Sequence, residues 1–162
     1  MHRISLFRSL AADALVQGDA VLPQLYRQAM ECRGAEFAEV MWRIADAPEG
    51  IVLFHCTAGK DRTGLIAAMI LELCGMDRAQ IGADYALTGS RIAAHIPAMT
   101  RDTTASGIPA ERLPPLFDSS PENMIGLLDH VDARFSEVES YLLQAGLSVA
   151  HLTKLRRRIV AP

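Results

Sequence analysis

The chain has 162 residues, of which 50% are hydrophobic and 22% are charged. This composition predicts one globular domain with a buried core and excludes a disordered chain. The net charge of −3 gives no electrostatic basis for nucleic-acid binding, so any affinity for anions must come from a local site.

The first half of the chain is predicted to contain two strands and two helices. Residues 2–7 alternate in polarity and predict a short strand, and helical spacing of apolar residues follows over 20–33 and 35–45. Pro48-Glu49-Gly50 then predicts a turn. Residues 51–55 follow as an apolar, partly β-branched segment that is typical of a buried strand.

The ten residues from His55 to Gly64 read HCTAGKDRTG. The next ten are apolar on nearly every face and end at Gly75, which predicts a buried helix. A loop between a strand and a helix presents backbone N–H groups and the positive end of the helix dipole. The segment is therefore predicted to bind an anion.

The spacing of Cys56 and Arg62 fits phosphoryl chemistry. Five intervening residues let the backbone form a nest of N–H donors around phosphoryl oxygens, and Arg62 adds a planar, two-pronged clamp. This positive field should favour the Cys56 thiolate, which could attack phosphorus. Thr63 could donate to the sulfur, and His55 could brace the loop. The predicted phosphate-binding residues are Thr57, Ala58, Gly59, Lys60, Asp61 and Arg62.

The second half of the chain is predicted to be helical, apart from a long irregular segment. Helices are expected over 77–87, 121–135, 137–145 and 149–160. Residues 88–120 contain prolines, glycines and a Thr-Thr-Ala-Ser run. A segment of this kind is either a substrate-covering lid or a surface loop without a role.

The loop resembles the signature of the cysteine-dependent protein tyrosine phosphatase superfamily, in which His-Cys and Arg-Ser/Thr flank five residues. The version with Lys60 and Asp61 is similar to a bacterial branch of tyrosine and lipid phosphatases. Asp84-Tyr85 and the segment from Glu139 to Leu142 also fit that branch, and the resemblance covers roughly residues 20–160. It implies a covalent mechanism that uses neither metal nor cofactor, with a phosphocysteine formed on Cys56.

The general acid that protonates the leaving group is less clearly marked. Asp13, Asp19 and Asp46 lie upstream, but none stands in a Trp-Pro-Asp context. The resemblance implies that Asp61 serves instead, and we favour it. The alternative is that Asp61 orients Arg62 or caps the following helix.

The predicted substrate is phosphotyrosine, with phosphoserine and phosphothreonine as possible additions. Lys60 could contact a second phosphate or an inositol substituent, or could be a solvated lysine at the rim. Two rival functions stay open. One is a phosphoinositide phosphatase, and the other is a phosphate-binding module without activity.

The resemblance implies a reduced tyrosine-phosphatase-like α/β fold, with a small parallel sheet flanked by helices. Residues 1–162 are expected to form a single domain that lacks a segment preceding the equivalent of Met1 in the family. Because a parallel strand needs neighbours on both edges, we predict that a homodimer completes the sheet.

The compartment can be predicted from the cysteines and the N-terminus. Cys32, Cys56 and Cys74 cannot all pair with one another, and a reactive thiol suits a reducing environment. Residues 1–7 are too short an apolar run for a secretion signal. We therefore predict a cytoplasmic protein, with secretion without a cleaved signal as the alternative.

Overall fold

The computed structural model describes residues 21–105 and 109–160, and this part of the chain is mainly helical. Three short 3-10 turns, Ala93–His95, Ala110–Arg112 and Pro114–Phe117, lie among the helices. The α-helices in these ranges are α1 Val21–Cys32, α2 Gly34–Ala45, α3 Asp61–Leu73, α4 Arg78–Ile92, α5 Ile96–Thr104, α6 Glu122–Phe135, α7 Val138–Gln144 and α8 Val149–Ile159.

Helix α3 is the centre of the fold. It packs against α2, α4, α6, α7 and α8. A helix surrounded in this way needs apolar side chains on nearly every face, which is the pattern that its sequence shows. The residues of α3 that are buried are Leu65, Ile66, Ala68, Met69, Ile70 and Leu73.

The predicted helices are confirmed, with shifts at their ends. Helix α3 begins at Asp61, inside the ten-residue loop motif, rather than after it. Helix α4 begins after Asp77, whose carboxylate accepts a hydrogen bond from the amide of Ala79 at 2.9 Å, and continues to Ile92. The loop motif of residues 55–64 therefore leads directly into the central helix.

The predicted parallel sheet is wrong for the part of the chain that the structure describes. Residues 51–56 have no regular secondary structure, and no strand occurs in residues 21–105 or 109–160. Val52 and Phe54 pack against the core, whereas Ile51 is fully exposed and Leu53 is 85% exposed. The continuous apolar pattern predicted a strand buried on both faces, but only one side of the segment is against the core, and a strand also requires a hydrogen-bonded neighbour. The other predicted strand, 2–7, lies outside the described residues.

The turn before this segment is fixed by a side chain from the last helix. The guanidinium of Arg158 donates to the carbonyl oxygens of Ala47 at 2.7 Å, Pro48 at 2.5 Å and Gly50 at 3.2 Å. These hydrogen bonds satisfy carbonyl groups that no regular element uses. They fix the point from which the chain enters the loop.

Residues 88–120 contain more regular structure than predicted. Helix α4 extends into the segment, α5 follows, and the turns Ala110–Arg112 and Pro114–Phe117 bring the chain back to the core. Leu113, between those two turns, is buried. Across the described ranges, no helix is long and apolar enough to cross a bilayer.

Candidate active site

The loop motif forms a tight curve at the N-terminus of α3. Residues 57–60 are bends, and the helix begins at the next residue. Gly59 has a φ of +69°, which side-chain-bearing residues rarely adopt, so the curve depends on a glycine there. The first amides of a helix have no partner within it, and they lie at the positive end of the helix dipole. The loop thus has the setting of an anion site.

Cys56 lies half-buried at the start of this curve. Its amide donates to Oγ1 of Thr63 at 2.9 Å, and its sulfur is hydrogen-bonded by the Thr63 side chain. Burial acts to raise the pKa of the thiol, but hydrogen bonds from Thr63 and Gly59 and the charge of Arg62 outweigh it. The net pKa of Cys56 is therefore below that of an ordinary thiol. Thr63, the residue predicted to support the sulfur, is thus in contact with Cys56.

We expect iodoacetamide to alkylate Cys56 at lower pH than Cys74, because only the thiolate reacts. The pKa of Cys74 is raised, mainly by burial. The pH midpoint for Cys56 should fall below the ~8.5 of a free thiol, and that for Cys74 should not. Peptide mapping by mass spectrometry across a pH series measures both thiols in one sample. Equal midpoints would show that the loop does not activate Cys56.

Arg62 and His55 hold opposite ends of the loop. Nη2 of Arg62 donates to Oγ1 of Thr57 at 3.3 Å, which brings the guanidinium across the curve. Nδ1 of His55 donates to the carbonyl oxygen of Cys56 at 2.8 Å, while the His55 side chain is exposed. The structure therefore brings both side chains to the loop, in positions consistent with the predicted roles in binding and bracing.

Lys60 occupies neither of its two predicted positions. The residue is 1% exposed, so it is neither a solvated lysine at the rim nor displayed toward a second phosphate. Its Nζ donates to Oδ1 of Asp61 at 2.7 Å and to the carbonyl oxygen of Leu116 at 3.1 Å. A buried ammonium needs such partners to offset its lost hydration. Lys60 thus links the loop to the turn Pro114–Phe117.

Asp61 belongs to a buried polar cluster that the sequence reading did not predict. The hydroxyl of Tyr26 donates to Oδ1 of Asp61 at 2.5 Å and lies 2.7 Å from the hydroxyl of Tyr85. Tyr26 is 0% exposed and Tyr85 is buried. Tyr26 on the apolar face of the helix predicted over 20–33 was the signal that could have indicated this cluster, because a buried hydroxyl needs a hydrogen-bond partner. Hereafter, the tyrosine–aspartate cluster means Tyr26, Lys60, Asp61 and Tyr85.

Gly64 lets α4 approach the loop closely. A Cβ atom at this position would lie 2.9 Å from Cδ2 and 3.0 Å from Cε2 of Tyr85. The absence of a side chain therefore allows the Tyr85 ring to pack directly against the backbone at the end of the motif.

Of the other aspartates considered as the general acid, Asp46 lies away from the loop, and the remaining two are outside the described residues. Asp46 accepts hydrogen bonds from Nζ of Lys154 at 2.6 Å and Nε1 of Trp42 at 2.8 Å. The hydrogen bond from Lys154, followed by that from Trp42, holds the pKa of Asp46 below its usual range. Its partners are thus on α2 and α8 and not in the loop. Asp13 and Asp19 lie outside the described residues.

One groove on the described part of the chain is separate from the loop motif. It has a volume of about 360 Å³, and its walls include Val52, Phe54, Ile70 and Arg158 but none of residues 55–64. A smaller space of about 90 Å³ lies beside Gly59, Thr63 and Tyr85. Within 21–105 and 109–160, no group of three or more His, Cys, Asp or Glu residues could hold a metal ion.

Known proteins are similar to parts of this chain. A tyrosine-protein phosphatase of Nostoc commune is 46% identical over 67 residues, which are 41% of this chain. The triple specificity protein phosphatase PtpB of Mycobacterium tuberculosis is 29% identical over 116 residues, or 65% of this chain. The chain spans 23% and 42% of the lengths of these two relatives.

A family model matches more of the chain than either of these relatives does. The model of the tyrosine phosphatase family matches residues 6–161, which is nearly the whole sequence. The matched residues include the loop motif of residues 55–64, the central helix that follows it and the helices that enclose them. The chain belongs to the tyrosine phosphatase family.

Proposed function

We propose that the protein is a phosphatase that hydrolyses phosphotyrosine monoesters through a phosphocysteine intermediate. The observation that carries this proposal is the Cys56 thiol, whose pKa is lowered at a curve that leads into a helix N-terminus. A thiolate beside an anion site is the arrangement that covalent phosphoryl transfer requires. The names of the relatives support the same reaction class, and one is called a triple specificity phosphatase. The proposed range therefore includes phosphoserine and phosphothreonine.

The reaction proceeds in two balanced steps. Cys56 Sγ attacks phosphorus while the bond from phosphorus to the leaving oxygen breaks, and Asp61 gives that oxygen a proton. Water then attacks the phosphocysteine, giving its proton to the Asp61 carboxylate and releasing phosphate and the Cys56 thiolate. Arg62 and the amides of residues 57–62 bind the phosphoryl oxygens throughout, because positioning and charge stabilisation dominate this chemistry.

The substrate test compares three phosphoesters under one set of conditions. We expect the wild-type protein to turn over a phosphotyrosine peptide faster than a phosphatidylinositol phosphate. The burial of Lys60 supports this order, because its ammonium is bonded inside the protein rather than offered to an inositol phosphate. A chromogenic aryl phosphate provides the reference rate. Faster turnover of the lipid would favour the phosphoinositide function, and binding without turnover of any ester would identify a phosphate-binding module.

Two further features belong to the same proposal. Residues 88–120 act as a cover beside the loop, because the carbonyl of Leu116 within this segment is bonded to Lys60. The cytoplasm is the proposed location, because a reducing environment protects the reactive thiol from oxidation.

A homodimer is also proposed, because Ile51 and Leu53 form an exposed apolar surface next to the loop. Burial of two such side chains between protomers would remove them from water. Light scattering at micromolar concentration measures the mass directly. Twice the 17.6 kDa chain mass is expected, and a fully active species of 17.6 kDa would refute the dimer.

A further inference from the structure

The tyrosine–aspartate cluster joins three separate parts of the chain at the active-site loop. Tyr26 comes from α1, Tyr85 from α4, and Lys60 with Asp61 from the loop. Tyr26 is 0% exposed and Lys60 is 1% exposed, so water cannot replace their contacts readily. Nζ of Lys60 also lies 5.9 Å from the centroid of the Tyr85 ring. The cluster is therefore a fixed polar core beneath the loop.

The protons of the cluster point toward Asp61. Burial and the nearby carboxylate raise the pKa of both Tyr26 and Tyr85, so both phenols keep their protons. The Tyr26 proton goes to Oδ1 of Asp61, 2.5 Å away. Tyr85 can then donate to the oxygen of Tyr26 at 2.7 Å or to the carbonyl of Asp118 at 3.4 Å. The shorter contact makes Tyr85, Tyr26 and Asp61 a hydrogen-bonded chain.

All contacts of the Asp61 carboxylate in the described residues involve one oxygen. Both Tyr26 and Lys60 donate to Oδ1. The side chain of Asp61 is 29% exposed, so the carboxylate is not fully enclosed. Two donors on Oδ1 restrict rotation of the carboxyl group, and neither of them engages Oδ2.

We propose that Tyr26 is a positioning residue for Asp61, which it holds with Oδ2 directed to the leaving group. This inference rests on the proposed function, in which Asp61 protonates that group. Tyr26 does not touch the substrate and acts through the carboxylate alone. When Asp61 gives up its proton, a negative charge develops there, and the hydroxyl of Tyr26 stabilises it without reorganisation. Preorganisation of this kind lowers the barrier only for substrates whose leaving group needs the proton.

The test uses Tyr26→Phe, which removes one hydroxyl and keeps the ring. Its turnover is measured on aryl phosphates that span good to poor leaving groups. We expect about a tenfold loss of kcat on the poorest leaving group, a fraction of the full contribution of a general acid, and little change on the best. The alkylation rate of Cys56 should be unchanged, because its partners Thr63 and Arg62 are intact.

Tyr141→Phe is the matched control. Tyr141 is also buried, and its hydroxyl donates to the carbonyl of Met30 at 3.0 Å, outside the cluster. Tyr26→Phe loses the hydrogen bonds of its hydroxyl with Asp61 and Tyr85, whereas Tyr141→Phe loses one, so Tm should fall in both variants and further in Tyr26→Phe. Only Tyr26→Phe should change the dependence of kcat on the leaving group.

The outcomes separate this inference from the function on which it rests. A Tyr26→Phe profile parallel to that of Tyr141→Phe would overturn the positioning role, provided that Asp61→Asn shows leaving-group dependence. A flat profile for Asp61→Asn would refute Asp61 as the acid and, with it, the role of Tyr26. Loss of all turnover on Cys56→Ser would leave the covalent phosphatase function standing in either case. A tenfold loss that is equal on every ester would also contradict the inference, because it would indicate a general disturbance of the loop.

Discussion

Cys56→Ser should lower turnover by about 10⁴-fold or more, because the serine hydroxyl cannot replace a thiolate as the covalent nucleophile. The loop curve, Arg62 and the helix N-terminus do not depend on the sulfur atom, so binding of phosphotyrosine peptide should survive. Isothermal titration calorimetry with inorganic phosphate, which the wild type does not consume, should give the variant a Kd within about tenfold, or 1.4 kcal/mol, of the wild-type value.

Cys74→Ser is the control for this variant. Cys74 is the residue at the end of α3, and its raised pKa makes it a poor nucleophile. Its replacement should leave turnover unchanged. Retention of more than a few per cent of wild-type activity by Cys56→Ser would exclude the phosphocysteine intermediate.

Asp61→Asn should reduce kcat more strongly as the leaving group becomes less acidic. Asparagine preserves the shape of the side chain but cannot supply the proton, so kcat on an alkyl or unsubstituted phenyl phosphate should fall about 100-fold. An ester with a strongly acidic phenol needs no proton and should be little affected. The slope of log kcat against leaving-group acidity is the quantity to measure.

Asp46→Asn is the matched acidic control. Asp46 interacts with Lys154 and Trp42, so its replacement should alter stability slightly and leave the slope unchanged. If Asp46→Asn gave the steep slope and Asp61→Asn did not, the proton donor would have been assigned to the wrong residue.

The loop and the helices could be predicted because their signals are local. The spacing of Cys56 and Arg62 and the all-round apolar character of residues 65–74 each depend on neighbours a few positions away. The contact of Thr63 with Cys56 has a local basis too, since Thr63 lies in the first turn of α3 and its hydroxyl accepts a hydrogen bond from the Cys56 amide. Such features follow from periodicity and loop geometry without knowledge of distant contacts.

Two features could not be predicted from local signals. They are the irregular structure of residues 51–55 and the burial of Lys60. A continuous apolar segment predicts burial, but a strand also depends on a hydrogen-bonded partner that the segment does not contain. Lys60 is a charged residue in a loop, where exposure is the usual outcome. Its burial depends on the carbonyl of Leu116, which is 56 residues away. Contacts at such separation are a property of the packed fold.

Gly64, the last residue of the motif, leaves room for the ring of Tyr85. The distance from the loop backbone to α4 is set by the thickness of one aromatic ring, because a methyl group at Gly64 would come within 2.9 Å of that ring. The same ring carries the hydroxyl that lies 2.7 Å from Tyr26. A single added carbon at Gly64 would therefore be transmitted, through the displaced ring, to the carboxylate of Asp61. The disturbance in such a variant would be purely steric at Gly64, yet it would change the position of the Asp61 carboxylate, three residues earlier in the chain.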